Sequence, residues 1–184
     1  AGSGPLLFVG RLVYYKGIEV LLEAVARIPE AELVIVGDGP LKDKLKRKIV
    51  KSGLSDRVQL LGDISNAKLK TIMNESGALV LPSTHKSETF GLVQLEAMAS
   101  SIPVISTNLP TGVATVNIDN ETGFVVTPGD VPELTEAIIK LYQDSQNACE
   151  LGRNGRTRVE QYFSREVMAQ NLIAWYTELI EKRK

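Results

Sequence analysis

Short apolar runs alternate along the chain with stretches of helical periodicity. Leu6-Leu7-Phe8-Val9, Leu33-Val34-Ile35-Val36, Val58-Gln59-Leu60-Leu61-Gly62, Gly77 to Leu81 with its Leu79-Val80-Leu81 run, and Pro103-Val104-Ile105-Ser106 show no polar alternation, as expected of strands buried on both faces. Thr122-Gly123-Phe124-Val125-Val126 reads as a last short strand. Between the first two runs, Ile18, Leu21, Leu22, Val25 and Ile28 recur at helical spacing, and Pro29 ends the segment. Further helices are expected from about Leu41 to Lys51, from Asn66 to Glu75, from Gly91 through the following apolar run, and from Val131 to Tyr142 behind an Asp130 cap. Two more follow, near Ala148 to Tyr162 and Ser164 to Lys182, the second capped by Ser164 and carrying Leu172, Ile173, Trp175, Tyr176, Leu179 and Ile180 as apolar surface. Buried strands separated by helices predict an α/β fold with a doubly wound, mostly parallel, Rossmann-like sheet.

In such sheets ligands bind outside the carboxyl ends of the strands, so the loops there carry the candidate chemistry. Arg11 and Lys16 fall on the loop after the first run, where two cations can neutralise a diphosphate or remain solvated loop charges. After the second run, Gly37-Asp38-Gly39-Pro40 allows close backbone approach. A dinucleotide fingerprint would need glycine where Lys42 stands, which argues against NAD. Glu88 lies on the loop after Pro82. Gly91 is expected to open a helix whose first amides, those of Gly91, Leu92 and Val93, lack carbonyl partners and can hold an anion. Glu96 sits among Leu92, Val93, Leu95, Ala97, Met98 and Ala99, so burial is expected, with a ligand supplying its hydrogen bonds. The plainer alternative is a strand-loop-helix unit with a chance glutamate.

Composition narrows the classes. With 184 residues, 43% hydrophobic and 23% charged, one domain is expected. A net charge of -1 and a pI near 6.0 argue against non-specific nucleic-acid binding. The one cysteine, Cys149, cannot form an internal disulfide, which fits a cytoplasmic setting. No run reaches the ~18 apolar residues of a membrane span, and no signal peptide opens the chain. Ala1-Gly2-Ser3-Gly4 reads as a cloning remnant, leaving a single domain over 5–184. The cationic run Lys42, Lys44, Lys46, Arg47, Lys48 and Lys51, opposed only by Asp43, faces either water or anionic lipid. No D-x-D or clustered His/Asp set suggests a metal site, and His85, the only histidine, has no ligand-type neighbours.

Glu88 and Glu96 stand with seven residues between them in E-x-F-G-L-x-x-x-E-A-M-A, and the chain also carries G-R-L-x-x-x-K-G from Gly10 and a V-G-x-G-P turn from Val36. These patterns resemble the retaining GT-B glycosyltransferases of family 4, and the resemblance runs from Arg11 to the last helix. It implies one half of a GT-B fold, the C-terminal domain that binds a nucleoside diphosphate sugar. By that resemblance Glu88 is the catalytic carboxylate touching the donor sugar, Glu96 holds the ribose, Ile64 lies at the nucleobase, and Arg11, Lys16 and the Gly91 and Leu92 amides hold the diphosphate. No cofactor or metal is implied.

The implied reaction is hexosyl transfer to a glycan or glycolipid in polysaccharide synthesis, at a cytoplasmic site that leaves room for peripheral membrane contact. The acceptor would be bound by an N-terminal half not contained in these residues, so the chain alone is expected to bind nucleotide sugar without transferring it. Ser100-Ser101-Ile102 and Thr111-Gly112-Val113-Ala114-Thr115 depart from the family pattern beside the donor sugar. A sugar-nucleotide epimerase of similar fold and a non-catalytic nucleotide-sensing module are the rival readings. A sensor would bind nucleotide without consuming sugar donor.

Overall fold

Successive residues of a strand point to opposite faces, and the first strand shows where both layers of the core lie. The computed structural model describes residues 4–182, so most of the expected remnant, residues 1–3, lies outside the described residues. In β1 (Leu6–Val9), Leu6 and Phe8 join one apolar cluster and Leu7 joins the other. The remaining strands are β2 (Leu33–Val36), β3 (Val58–Gly62), β4 (Ala78–Leu81), β5 (Val104–Thr107) and β6 (Gly123–Val126). All pair in parallel, in the order β3-β2-β1-β4-β5-β6. The sheet is thus wholly parallel.

Helices cover both faces. On the first, α1 (Ile18–Ala26), α2 (Lys42–Lys51) and α6 (Val131–Gln143) bury Leu21, Val25, Leu45, Leu134 and Ile138 against Phe8 and Ile35. On the second, α3 (Asn66–Glu75) and α4 (Val93–Ala99) bring Met73, Ala97 and Met98 to Leu7, Val34 and Leu79. Side-chain caps begin several helices: Asp130, as expected, accepts from the Glu133 amide of α6, and Ser65 accepts from the Lys68 amide of α3. Asp144 caps α7 (Ser145–Tyr162) and Ser164 caps α8 (Arg165–Glu181). In α2, Lys42, Lys44 and Lys48 pair with Asp38, Glu19 and Glu23, so half of its cations are already matched.

Three local expectations change. Gly91 precedes its helix instead of opening it: its left-handed φ of 70° turns the chain, and α4 begins at Val93. The strand expected over Pro103 to Ser106 runs on through Thr107 as β5, and a short α5 (Val113–Val116), with Val113 and Val116 buried, forms where the sequence carries no helical signal. A residue in the same left-handed region, Ser101 at φ 58°, makes the turn where the family pattern has glycine. By contrast α8 buries none of its residues, and its Trp175 remains 57% exposed.

Candidate functional site

The strand order reverses between β1 and β4, so the loops leaving these neighbouring strands flank a crevice. Close backbone packing joins them. Gly17 adopts φ 68°, and a Cβ added there would lie 1.8 Å from the Pro82 carbonyl oxygen. The Thr84 amide also donates to the Tyr15 carbonyl at 2.8 Å. This register brings Lys16, at the end of a 3-10 turn (Tyr14–Lys16), to Glu88 on the loop after β4. Lys16 Nζ lies 2.6 Å from Glu88 Oε2, with the two side chains 12% and 9% exposed. Such burial is tolerable because each charge has a counter-charge and hydrogen bonds. Ser83, fully buried, donates its hydroxyl to the same Oε2 at 2.9 Å, and the buried Thr107 hydroxyl donates to the Ser83 carbonyl at 2.6 Å.

A cavity of about 570 Å3 is lined among others by Gly10, Arg11, Asp38, Ile64 and Leu69, and it adjoins this pair through Gly10, where a Cβ would lie 3.3 Å from Lys16 Nζ. At its wall Gly37 packs directly on Gly10: a Cβ there would lie 2.0 Å from the Gly10 carbonyl oxygen. Arg11 is exposed at its wall and has no ion-pair partner among the described residues. Across from it, Asp38 accepts from the Gly39 amide at 2.7 Å and pairs with Lys42. The Lys42 hydrogen bond holds the Asp38 carboxyl below its ordinary range, and Asp38 reciprocally raises the Lys42 ammonium. Arg11 is therefore the cation available to a ligand, whereas Lys42 is engaged.

Glu96 is exposed, which corrects the expected burial. The face that α4 buries is Gln94, Ala97 and Met98, and Glu96 falls on the opposite side, toward α3. There it lines a smaller cleft of about 350 Å3 with Asn66, Lys70 and Ser100. Leu69 lines both this cleft and the main cavity, so the Glu96 cleft adjoins the cavity at that residue. Among the described residues, the Gly91 and Leu92 amides have no hydrogen-bond partner, so both are open to an incoming anion.

The structure therefore assembles the predicted residues in two groups: Lys16 with Glu88, and Arg11 with Ile64, continued by Glu96. The sequence reading missed Ser83, Thr107 and the Lys16–Glu88 pairing. Gln94 was missed too: it is buried, donates Nε2 to the Phe90 carbonyl at 3.1 Å, and leaves Oε1 without a partner. No grouping of three or more His, Cys, Asp or Glu suited to a metal occurs among the described residues. The arrangement can hold an elongated polar ligand: anionic groups at Arg11 and the free amides, a flat ring at Ile64 and Leu69, and hydroxyls at the two glutamates.

Comparison with known proteins identifies the fold and the family. The chain is 34% identical over 182 residues to O-antigen chain mannosyltransferase C of Escherichia coli, covering 99% of this chain and 48% of that protein. It is 37% identical over 163 residues to the D-rhamnosyltransferase WbpZ of Pseudomonas aeruginosa, covering 88% of this chain and 42% of that one. Among solved structures, the sucrose-phosphate synthase of Thermosynechococcus elongatus matches with a TM-score of 0.87 at 33% identity, over 99% of this chain and 47% of that one. The Anabaena protein HepE in complex with UDP matches with a TM-score of 0.86 at 26% identity, over 95% of this chain and 49% of that one. The chain spans about half the length of the relatives it matches, and its sheet is the Rossmann-like half of a GT-B glycosyltransferase. The model of the glycosyl transferases group 1 family matches residues 3–158, and the chain belongs to that family.

Proposed function

We propose that this chain is the nucleotide-sugar-binding half of a retaining glycosyltransferase of family 4, passing a hexosyl group from a nucleoside diphosphate sugar to a glycan or glycolipid acceptor held by another half. The observation that carries the reading is the placement of Glu88, paired to Lys16, beside a cavity walled by the unpaired Arg11. In this reading Arg11 and the Gly91 and Leu92 amides hold the diphosphate, and Lys16 joins them when it exchanges Glu88 for a phosphate oxygen. Departure of the diphosphate builds negative charge, and fixed cations and amides stabilise it where it develops. They take the part a metal plays in metal-dependent transferases, so neither metal nor cofactor is required. Ile64 contacts the nucleobase, Glu96 the ribose hydroxyls, and Glu88 the sugar.

The O-antigen mannosyltransferase and rhamnosyltransferase relatives support a role in polysaccharide synthesis, which we place at the cytoplasmic side of a membrane. No helix among the described residues is long and apolar enough to cross that membrane. HepE, solved with UDP, makes uridine the first base to try. Calorimetric titration with UDP, GDP and ADP, each free and carrying a hexose, tests the reading. Wild type is expected to bind one of them, and Arg11→Ala to weaken it by about one to two decades, the worth of a charge-assisted hydrogen bond. Unchanged affinity in both Arg11→Ala and Lys16→Ala would refute the diphosphate assignment.

A further inference from the structure

Glu88 has two carboxylate oxygens, and among the described residues only Oε2 has a hydrogen-bond or ion-pair partner. Lys16 Nζ and Ser83 Oγ both meet Oε2, at 2.6 and 2.9 Å. A carboxylate held by two donors on one oxygen cannot rotate about its last bond without breaking both, so its other oxygen points in a fixed direction. We propose that Ser83 is a positioning residue for the sugar-transfer site, fixing Glu88 so that Oε1 is presented to the sugar hydroxyls of the bound nucleotide sugar. The proposal rests on the function proposed above for Glu88.

Lys16 alone cannot do this. An ammonium is a point charge on a flexible stem, and it follows either oxygen as the carboxylate turns. Ser83 is different because its backbone is fixed on both sides. It directly follows Pro82, against whose carbonyl Gly17 is packed, and its own carbonyl receives the Thr107 hydroxyl from the end of β5. The order of restraint therefore runs from Thr107 to Ser83 to Glu88, with every member of that series buried. When a phosphate oxygen draws Lys16 away, Ser83 is the contact that still holds Oε2. The orientation of Glu88 then survives the step in which its counter-ion changes partner.

Two measurements test this. The first needs no ligand: urea unfolding of wild type, Ser83→Ala, Glu88→Ala and the double variant. Overlapping losses are expected, with Ser83→Ala shifting the midpoint far less in the Glu88→Ala background, and fully additive losses would overturn the proposal. The second compares the free nucleoside diphosphate that wild type binds with the same nucleotide carrying a hexose. Ser83→Ala is expected to leave the affinity for the free nucleotide within about twofold of wild type while removing about tenfold of the affinity for the sugar-bearing ligand. A general structural role would weaken both ligands alike, and that result would also overturn the proposal. Thr107→Val, which frees the Ser83 carbonyl, should reproduce the selective loss in weaker form; an equal loss for both ligands would again count against it. If wild type binds no nucleotide at all, the proposed function fails, and the ligand-free cycle still decides whether Ser83 holds Glu88.

Discussion

Two glutamates in one motif experience opposite surroundings, and their substitutions should separate accordingly. Glu96 is exposed, so Glu96→Ala is expected to change stability by no more than about 0.5 kcal/mol while weakening the free nucleotide. Glu88→Ala strands the buried Lys16 ammonium and the Ser83 hydroxyl, which should cost about 1 to 3 kcal/mol, spare the nucleotide and weaken only the sugar-bearing ligand. Urea unfolding and calorimetry on both variants check this, and equal losses for nucleotide and nucleotide sugar would refute the division. The motif that contains both residues is legible in the sequence, but the side of the helix that holds Glu96 is not. Which face of α4 turns inward depends on Met98 fitting against Gly155 of α7, a contact between distant parts of the chain. A second residue-scale test concerns Tyr142, whose hydroxyl is pushed up to about 12, first by burial and then by the nearby Glu32 and Glu30 charges. The folded protein holds that proton more tightly than the unfolded chain does. The associated stability is complete below about pH 10 and lost as pH rises through 12. Unfolding midpoints followed into that alkaline window should fall less steeply for Tyr142→Phe than for wild type.

At the level of elements, the strands are legible because a parallel sheet covered on both faces permits no polar alternation, and helices with a single apolar stripe, such as α1, are equally plain. The elements that surround the ligand are harder. α5 spans only Val113–Val116, too short for any periodicity to appear. The start of α4 depends on a left-handed Gly91 that sequence alone cannot distinguish from a first helical residue. The joint between the β1 and β4 loops was hidden as well, although Gly17 is what makes it feasible. Gly17→Ala combines a left-handed φ with a backbone collision at Pro82, so a loss of more than about 2 kcal/mol is expected, together with loss of nucleotide binding. Thermal unfolding and calorimetry would show both, and a variant of wild-type stability would contradict the packing described. The converse holds for α8. Because it buries none of its residues, a chain ending at Phe163 should lose no more than about 1 kcal/mol in urea unfolding.

Across the whole molecule, the reversal of strand order places the candidate site where two separately built parts of the sheet meet. That β1 is central while β4, its second neighbour, comes only after β2 and β3 has a consequence for the chain during its synthesis. A nascent polypeptide that has not yet reached Ala78 can pair β1 with β2 and β2 with β3, but it leaves the other side of β1 as a bare row of amides and carbonyls flanked by Leu6, Leu7 and Phe8. Such an edge is a template for pairing with another chain. Lys16, meanwhile, has emerged without Glu88. Ribosomes that pause before β4 would therefore hold the most aggregation-prone form of this protein, and holdase chaperones should bind there more than at any later length.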